Sequence, residues 1–94
     1  MDKDSAQALI LKSKENEIMS FATLAHALVV ARKKHPVYAK DAPEAWGVIR
    51  AELFELLHAI EHESEERQRE EAIDVAVTAL RFILGEHKPE LPEE

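Results

Sequence analysis

The residues best suited to chemistry in this sequence are two pairs of acidic side chains, each spaced three positions apart. Glu52 and Glu55 form the first pair; Glu71 and Asp74 form the second, after 15 intervening residues. Carboxylates that gather in one place require protonation, basic partners or a bound divalent cation. An all-oxygen donor set suits Mg²⁺, with Mn²⁺ as an alternative, better than zinc or copper. Such metals bridge phosphate oxygens and polarise water, so the pattern indicates phosphate chemistry.

Both pairs fall on predicted helices that proline and glycine punctuate. Asp41 has the sequence context of an N-cap, and Gly85 that of a C-terminal cap residue. The predicted helices are 15–34, then from the Asp41 cap to about residue 61 or 63, then about 68–84. Residues 6–12 form either an earlier part of the first helix or a separate element. No strand-like alternation is present, so we predict an all-α helical bundle.

The third helix carries a polar stripe in an almost wholly apolar segment. Between Ala72 and Leu84 the only polar residues are Asp74, Thr78 and Arg81. Together with Glu71 they fall within about 80° of one another on a helix. Because the rest of this helix is apolar on two sides, it needs more than one neighbour, and its carboxylates are expected to be partly buried.

The second helix has a similar arrangement. Its predicted core stripe comprises Trp46, Ile49, Leu53, Leu56 or Leu57, and Ile60. The first acidic pair lies on a neighbouring stripe with the small residues Ala45, Val48 and Ala59. A short polar connection predicts an antiparallel hairpin of helices 2 and 3, in which the two acidic pairs face each other.

Simpler explanations compete with this interpretation. Acidic residues three positions apart are common on solvated helix faces, and either pair alone is more often a surface feature. The charge of Asp74 in an apolar helix argues against that view. Glu55 and His58 also form an E-x-x-H sequence typical of di-iron bundles, but the chain lacks the second such helix that a di-iron site needs.

The composition narrows the classes of function. The 94 residues are 46% hydrophobic with 2 Gly and 4 Pro, which is typical of one globular domain. A net charge of −7 disfavours nucleic acid and anionic membranes as partners, and the absence of Cys excludes disulfides and thiolate zinc. The opening residues lack the pattern of a secretory signal, and no apolar stretch reaches the roughly 20 residues of a membrane span. We therefore expect a cytoplasmic protein, and a chain this short favours self-association.

The segment from Trp46 to Gly85 resembles the MazG-like, all-α nucleoside triphosphate pyrophosphohydrolases. Their hallmark is E-E-x-x-E followed, after a variable connection, by E-x-x-D. Here it reads Ala51-Glu52-Leu53-Phe54-Glu55 and then Glu71-Ala72-Ile73-Asp74, with Ala51 in place of the first Glu. The resemblance implies Mg²⁺-dependent cleavage of an NTP or dNTP to the monophosphate and pyrophosphate.

The resemblance also assigns roles to residues. Glu52, Glu55, Glu71 and Asp74 become metal ligands, and the first two are the catalytic candidates. Homodimers or homotetramers are expected, because these enzymes commonly complete their helical core from two chains.

The helical domain is predicted over residues 1–85, followed by an acidic, proline-containing tail over 86–94 that is expected to be disordered.

Other residues could contact the nucleotide. Arg81 either contacts a phosphate or forms a structural ion pair with Glu71, Asp74 or a neighbouring chain. Trp46 either stacks on a base or belongs to the core. The lysines Lys33, Lys34 and Lys40 either meet the phosphates or complement helix ends. The alternative function is a non-catalytic, degenerate MazG-like module that binds a metal or a partner protein, which Ala51 favours.

Overall fold

The computed structural model describes residues 1–88, apart from the side chains of residues 13–15. Three helices make up this part of the chain: α1 (Lys3–Lys34), α2 (Ala42–His62) and α3 (Glu65–Ile83). The predicted all-α class is confirmed for the described residues, which contain no strand. Residues 6–12 belong to α1, so the chain has one long N-terminal helix and not two elements.

The helix ends follow from local hydrogen bonds. The Asp41 carboxylate accepts from the backbone N–H of Glu44 at 2.8 Å, which confirms the predicted N-cap of α2. The Ser64 hydroxyl accepts from the N–H of Arg67 at 3.3 Å and caps α3 in the same way. The third helix therefore begins at Glu65, earlier than predicted, because a serine cap followed by acidic residues favours a helix start.

The end of α3 is a two-bond cap built on Gly85. This glycine has a φ of 79°, which is the left-handed conformation that the sequence predicted for it. Its N–H donates to the carbonyl of Phe82 at 3.0 Å, and the N–H of Glu86 donates to the carbonyl of Arg81 at 3.1 Å. The turn thus brings Glu86 back over the last turn of α3. Three residues of the predicted tail, 86–88, lie in this turn; the other six, 89–94, are outside the described residues.

The third helix is the centre of the fold. It packs against α2 in the predicted hairpin and also against α1, whereas α1 and α2 do not pack against each other within the described residues. The buried residues of α3 include two charged ones, Glu71 and Arg81, beside Val77. On α2 the buried residues are the small Ala45 and Ala59. Two charged members of the polar stripe of α3 therefore face inward, where a site can form.

The predicted core stripe of α2 is not buried as a whole in the single chain, although Ile49 and Leu56 are half-buried. Trp46 is 55% exposed, Leu53 is 40% exposed and Ile60 is 56% exposed. The buried residues of α2 lie instead on the small-residue stripe, where Ala45 packs with Tyr38 and Ala39 of the linker. Since apolar residues occur on both stripes of α2, its periodicity alone could not decide which side would be buried.

Much of the apolar surface of the chain is not covered by the fold. The N-terminal half of α1 exposes large side chains, among them Leu9, Leu11, Ile18, Met19 and Phe21. The radius of gyration is 16.0 Å, compared with about 12 Å for a compact domain of this length. Among the described residues, no helix has both the length and the apolar character needed to cross a bilayer.

Candidate metal centre

Three carboxylates from two helices meet across the α2–α3 hairpin. Glu52 and Glu55 project from α2 and Glu71 from α3, and one oxygen atom of each lies within 4.8 Å of the others. The antiparallel hairpin causes this convergence, because it sets residues at similar distances from the connection opposite one another. The expected meeting of the two acidic pairs is therefore found for three of the four residues.

The centre is partly removed from solvent. Glu71 is only 6% exposed. The Oε2 atoms of Glu52 and Glu71 are buried and have no hydrogen-bond partner in the structure. A buried carboxylate oxygen without a donor is costly, and a cation is one way to satisfy it. Two carboxylates of the cluster thus each have a buried oxygen that no donor of the described residues satisfies.

The acidic side chains of the cluster repel one another, and nearby basic groups offset this repulsion only in part. Burial, followed by the charge of Glu55 and then the charges of Asp74 and Glu71, raises the pKa of Glu52 to about 7. Burial followed by the charge of Asp74 raises the pKa of Glu71. Burial followed by the charge of Glu55 raises the pKa of Asp74. All three shifts favour either protonation or a compensating positive charge.

Asp74, the fourth predicted ligand, lies beside the cluster and not within it. It is exposed, and it lines the same cleft as Glu52. The positive charges of Arg67 and Lys34 act to lower its pKa and partly offset the effect of burial. Asp74 is therefore placed at the mouth of the centre, open to the cleft.

Arg67 is a member of the centre that the sequence analysis did not identify. Its Nη2 atom donates to Oε1 of Glu71 at 2.5 Å, and its Nε atom lies 3.6 Å from Oε2 of Glu63. It also pairs with Glu70. The segment around Arg67 was predicted to be a turn; once it is helical, the four-residue spacing to Glu71 predicts the pair. One carboxylate of the centre thus has a basic partner.

A cleft of about 600 Å³ opens beside the cluster between α1 and α2, with α3 as its floor. Its acidic residues are Glu52 and Asp74. The remaining lining residues come from all three helices and the α1–α2 linker: His26, Ala27, Val30, Ala31, Lys34, His35, Val37, Tyr38, Val48, Val77, Thr78 and Arg81. The wall of the cleft therefore combines two acidic residues with basic and apolar residues.

Tyr38 fixes the linker against the floor of this cleft. Its hydroxyl donates to the backbone carbonyl of Thr78 at 2.7 Å, and the side chain is buried. Burial raises the pKa of Tyr38, so the hydroxyl stays protonated and remains a donor. Tyr38 lay in a segment predicted only as a linker, and no periodic pattern marks such a residue.

Arg81 lines the cleft but has a different partner from those predicted. It is 3% exposed, and its guanidinium carbon lies 5.0 Å from the centroid of the Tyr38 ring. Its Nε atom donates to Oε1 of Glu86 at 2.7 Å. The predicted ion pairs with Glu71 or Asp74 are replaced by this contact, because the cap at Gly85 returns the chain to the last turn of α3.

The remaining candidate residues of the sequence analysis do not all lie at the cleft. Trp46 does not line the cleft, so the structure does not bring it to the predicted nucleotide site. Of the three lysines, only Lys34 lines the cleft, while Lys40 is 3.9 Å from Glu44. His58 lies beside His62, with a ring-centroid distance of 4.8 Å.

In comparisons with known proteins, no family model matches the chain, and no curated protein or solved structure matches it. The MazG-like assignment and the activity that it implies therefore stand as proposals, supported by the residues and by the geometry of the centre.

Proposed function

We propose that the chain is a cytoplasmic, Mg²⁺-dependent nucleoside triphosphate pyrophosphohydrolase that cleaves an NTP or dNTP to the monophosphate and pyrophosphate. The observation that carries the proposal is the convergence of Glu52, Glu55 and Glu71 within 4.8 Å, next to a cleft with basic residues on its wall. The resemblance to the MazG-like family indicates the class of reaction that such a site would catalyse.

The donor set fits a hard divalent cation. Glu52, Glu55 and Glu71 would hold Mg²⁺, or Mn²⁺ as the alternative, and Asp74 would complete the set from the mouth of the centre. Two buried oxygen atoms without hydrogen-bond partners are ready to serve as ligands. When bound, the cation supplies charge neutralisation for the phosphates and lowers the pKa of a coordinated water.

The two catalytic candidates differ in their access to the cleft. Glu52 lines it, whereas Glu55 lines a second opening, with Arg67, on the other side of the cluster. We therefore assign to Glu52 the role of general base, which accepts a proton from the attacking water.

The basic residues of the cleft can contact the phosphates. Arg81 lies seven residues beyond Asp74 on α3, which is about 10 Å along the helix axis. Lys34 lies on the α1 wall of the same cleft. A chain with a net charge of −7 thus places cations opposite its acidic cluster, as the binding of an anionic ligand requires.

We also propose that the functional form is a homodimer or homotetramer. Trp46, Leu53 and Ile60 follow a seven-residue repeat on the outer face of α2, and all three are exposed. A seven-residue repeat of apolar side chains is typical of a helix that packs against another helix. A second copy of the chain would cover this face and complete the core.

The alternative, a non-catalytic module, has one observation in its favour. Arg67 neutralises Glu71 without a metal, so part of the cluster is already satisfied in the single chain. Pyrophosphate release from nucleoside triphosphates separates the two functions. The enzyme releases pyrophosphate in a reaction that needs Mg²⁺ and Glu71, whereas the module releases none.

A further inference from the structure

The turn after α3 forms a contact that the proposed chemistry does not use. The Glu86 carboxylate lies between two guanidinium groups, that of Arg81 on α3 and that of Arg32 on α1. Its Oε1 atom accepts from Nε of Arg81 at 2.7 Å, and its Oε2 atom accepts from Nε of Arg32 at 3.0 Å. Burial raises the pKa of Glu86, but the hydrogen bonds from both arginines outweigh it and lower the pKa overall. Glu86 is therefore an ionised carboxylate held between two cations.

Arg81 lines the cleft, but neither Glu86 nor Arg32 is among the cleft residues. Within the described residues, the hydrogen bond of Arg81 to Glu86 uses Nε. A guanidinium group has five N–H donors in a fixed plane, so a bond at Nε sets its orientation and leaves the Nη donors for another anion.

Two further contacts restrict the same guanidinium. The Tyr38 ring packs on it at 5.0 Å, and the Tyr38 hydroxyl is itself anchored to the Thr78 carbonyl. Glu86 is held in turn by the Gly85 cap, since its own N–H donates to the Arg81 carbonyl. The side chain of Arg81 is thus fixed from one face and from one edge before any ligand binds.

We propose that Glu86 is a positioning residue, which orients Arg81 so that its free guanidinium edge receives the phosphates of a nucleotide in the cleft. The inference rests on the proposed function, because it concerns how the same cleft holds its substrate. An arginine that is already oriented loses less side-chain entropy on binding a phosphate, so binding is stronger. Removing the Glu86 charge therefore weakens substrate binding and leaves the chemical step intact.

The test compares wild type, Glu86→Gln, Arg81→Lys and the double variant. Pyrophosphate release in Mg²⁺ gives KM and kcat, and calorimetry with a non-hydrolysable nucleoside triphosphate analogue gives Kd. We expect Glu86→Gln to raise KM and Kd about tenfold with kcat within about twofold of wild type. In the Arg81→Lys background, we expect the same substitution to have almost no further effect, because Glu86 acts through Arg81.

Arg32→Gln is the matched control. It removes the link from Glu86 to α1 but leaves the Glu86–Arg81 bond, so Tm falls while KM stays close to wild type. If Glu86→Gln fails to fold, Glu86→Asp is the substitute, because it keeps the carboxylate. Its KM should lie closer to the wild-type KM than to the KM of Arg81→Lys. An unchanged KM in folded Glu86→Gln, or additive effects of the two substitutions, would overturn the inference and leave the proposed function standing. A wild-type protein with neither turnover nor analogue binding would overturn both.

Discussion

The Oε2 atoms of Glu52 and Glu71, on facing helices of one hairpin, are both buried, and neither has a hydrogen-bond partner among the described residues. In an α-helical hairpin held only by packing, apolar residues would occupy these positions at lower cost. The two side chains therefore support the proposed cation site.

A divalent cation should stabilise the folded chain. Mg²⁺ or Mn²⁺ at 100 times its Kd adds about 2.7 kcal/mol to the free energy of unfolding, and each kcal/mol raises Tm by about 4–8 °C in a domain of this size. Thermal unfolding with and without the cation measures the effect. Glu71→Gln should abolish the increase, while Glu66→Gln, an exposed residue of the same helix, should retain it. An equal increase in all three proteins would place the cation elsewhere.

The metal-free protein should lose stability as the pH rises through the range in which Glu52 ionises. Burial and the neighbouring carboxylates raise the pKa of Glu52 from 4.5 to about 7, so between these values the folded chain keeps a proton that the unfolded chain has lost. The free energy of unfolding therefore falls with rising pH in this window. Glu71 and Asp74, whose pKa values are also raised, act in the same direction.

Thermal unfolding in a chelator from about pH 5 to pH 8 checks this dependence. We expect Tm to decrease by a few degrees in wild type and by less in Glu52→Gln. Glu86, whose pKa is lowered, opposes the trend only at lower pH, where it begins to take up a proton. A Tm that rises with pH over the measured range, or an unchanged slope in Glu52→Gln, would contradict the environment assigned to Glu52.

Self-association should depend on the outer face of α2. Leu53 is 40% exposed in the middle of the seven-residue repeat, and replacing it with Lys places a charge at the proposed interface. Light scattering after size exclusion should show a dimer or tetramer for wild type and a smaller species for Leu53→Lys. Glu66→Gln makes the same change of charge on α3 and should leave the mass unchanged. A monomeric wild type would contradict the proposed assembly.

The two glycines should respond in opposite ways to alanine. Gly85 has a φ of 79°, and an added Cβ would meet the Lys88 side chain at no less than 3.7 Å, so the cost is backbone strain and not a clash. We expect Gly85→Ala to destabilise the fold by about 1–2 kcal/mol. Gly47 lies within α2 with open space at its Cβ position, so Gly47→Ala should stabilise by about 0.5–1 kcal/mol. Chemical denaturation measures both, and equal effects would contradict the cap.

The sequence predicted the parts of the fold that depend on local chemistry. Asp41 and Gly85 are placed as expected, because a cap depends on a few neighbouring atoms. Three of the four paired acidic residues meet because a short connection determines which residues of a hairpin face each other. The polar stripe on α3 was visible because a charge at Asp74 is unusual in an apolar helix.

Features that depend on distant packing could not be predicted in the same way. Trp46 and Leu53 are exposed because α2 has two apolar stripes, and only the approach of α3 selects between them. Glu86 reaches Arg32 across 54 positions of sequence, a contact that no periodicity encodes. Arg67 joins the cluster only because α3 starts earlier than its polar sequence indicated.

The measurement that tests the central claim most directly is pyrophosphate release over a panel of NTPs and dNTPs, with Mg²⁺ or Mn²⁺, by wild type and Glu71→Gln. The proposed function predicts release by wild type on at least one nucleotide, none without the cation, and a loss of at least about 100-fold in kcat for folded Glu71→Gln. Glu66→Gln should behave as wild type. If the folded, assembled wild type releases no pyrophosphate from any nucleotide of the panel, the proposal that this carboxylate cluster hydrolyses nucleoside triphosphates is contradicted. Equal rates of release by wild type and Glu71→Gln would contradict it as well.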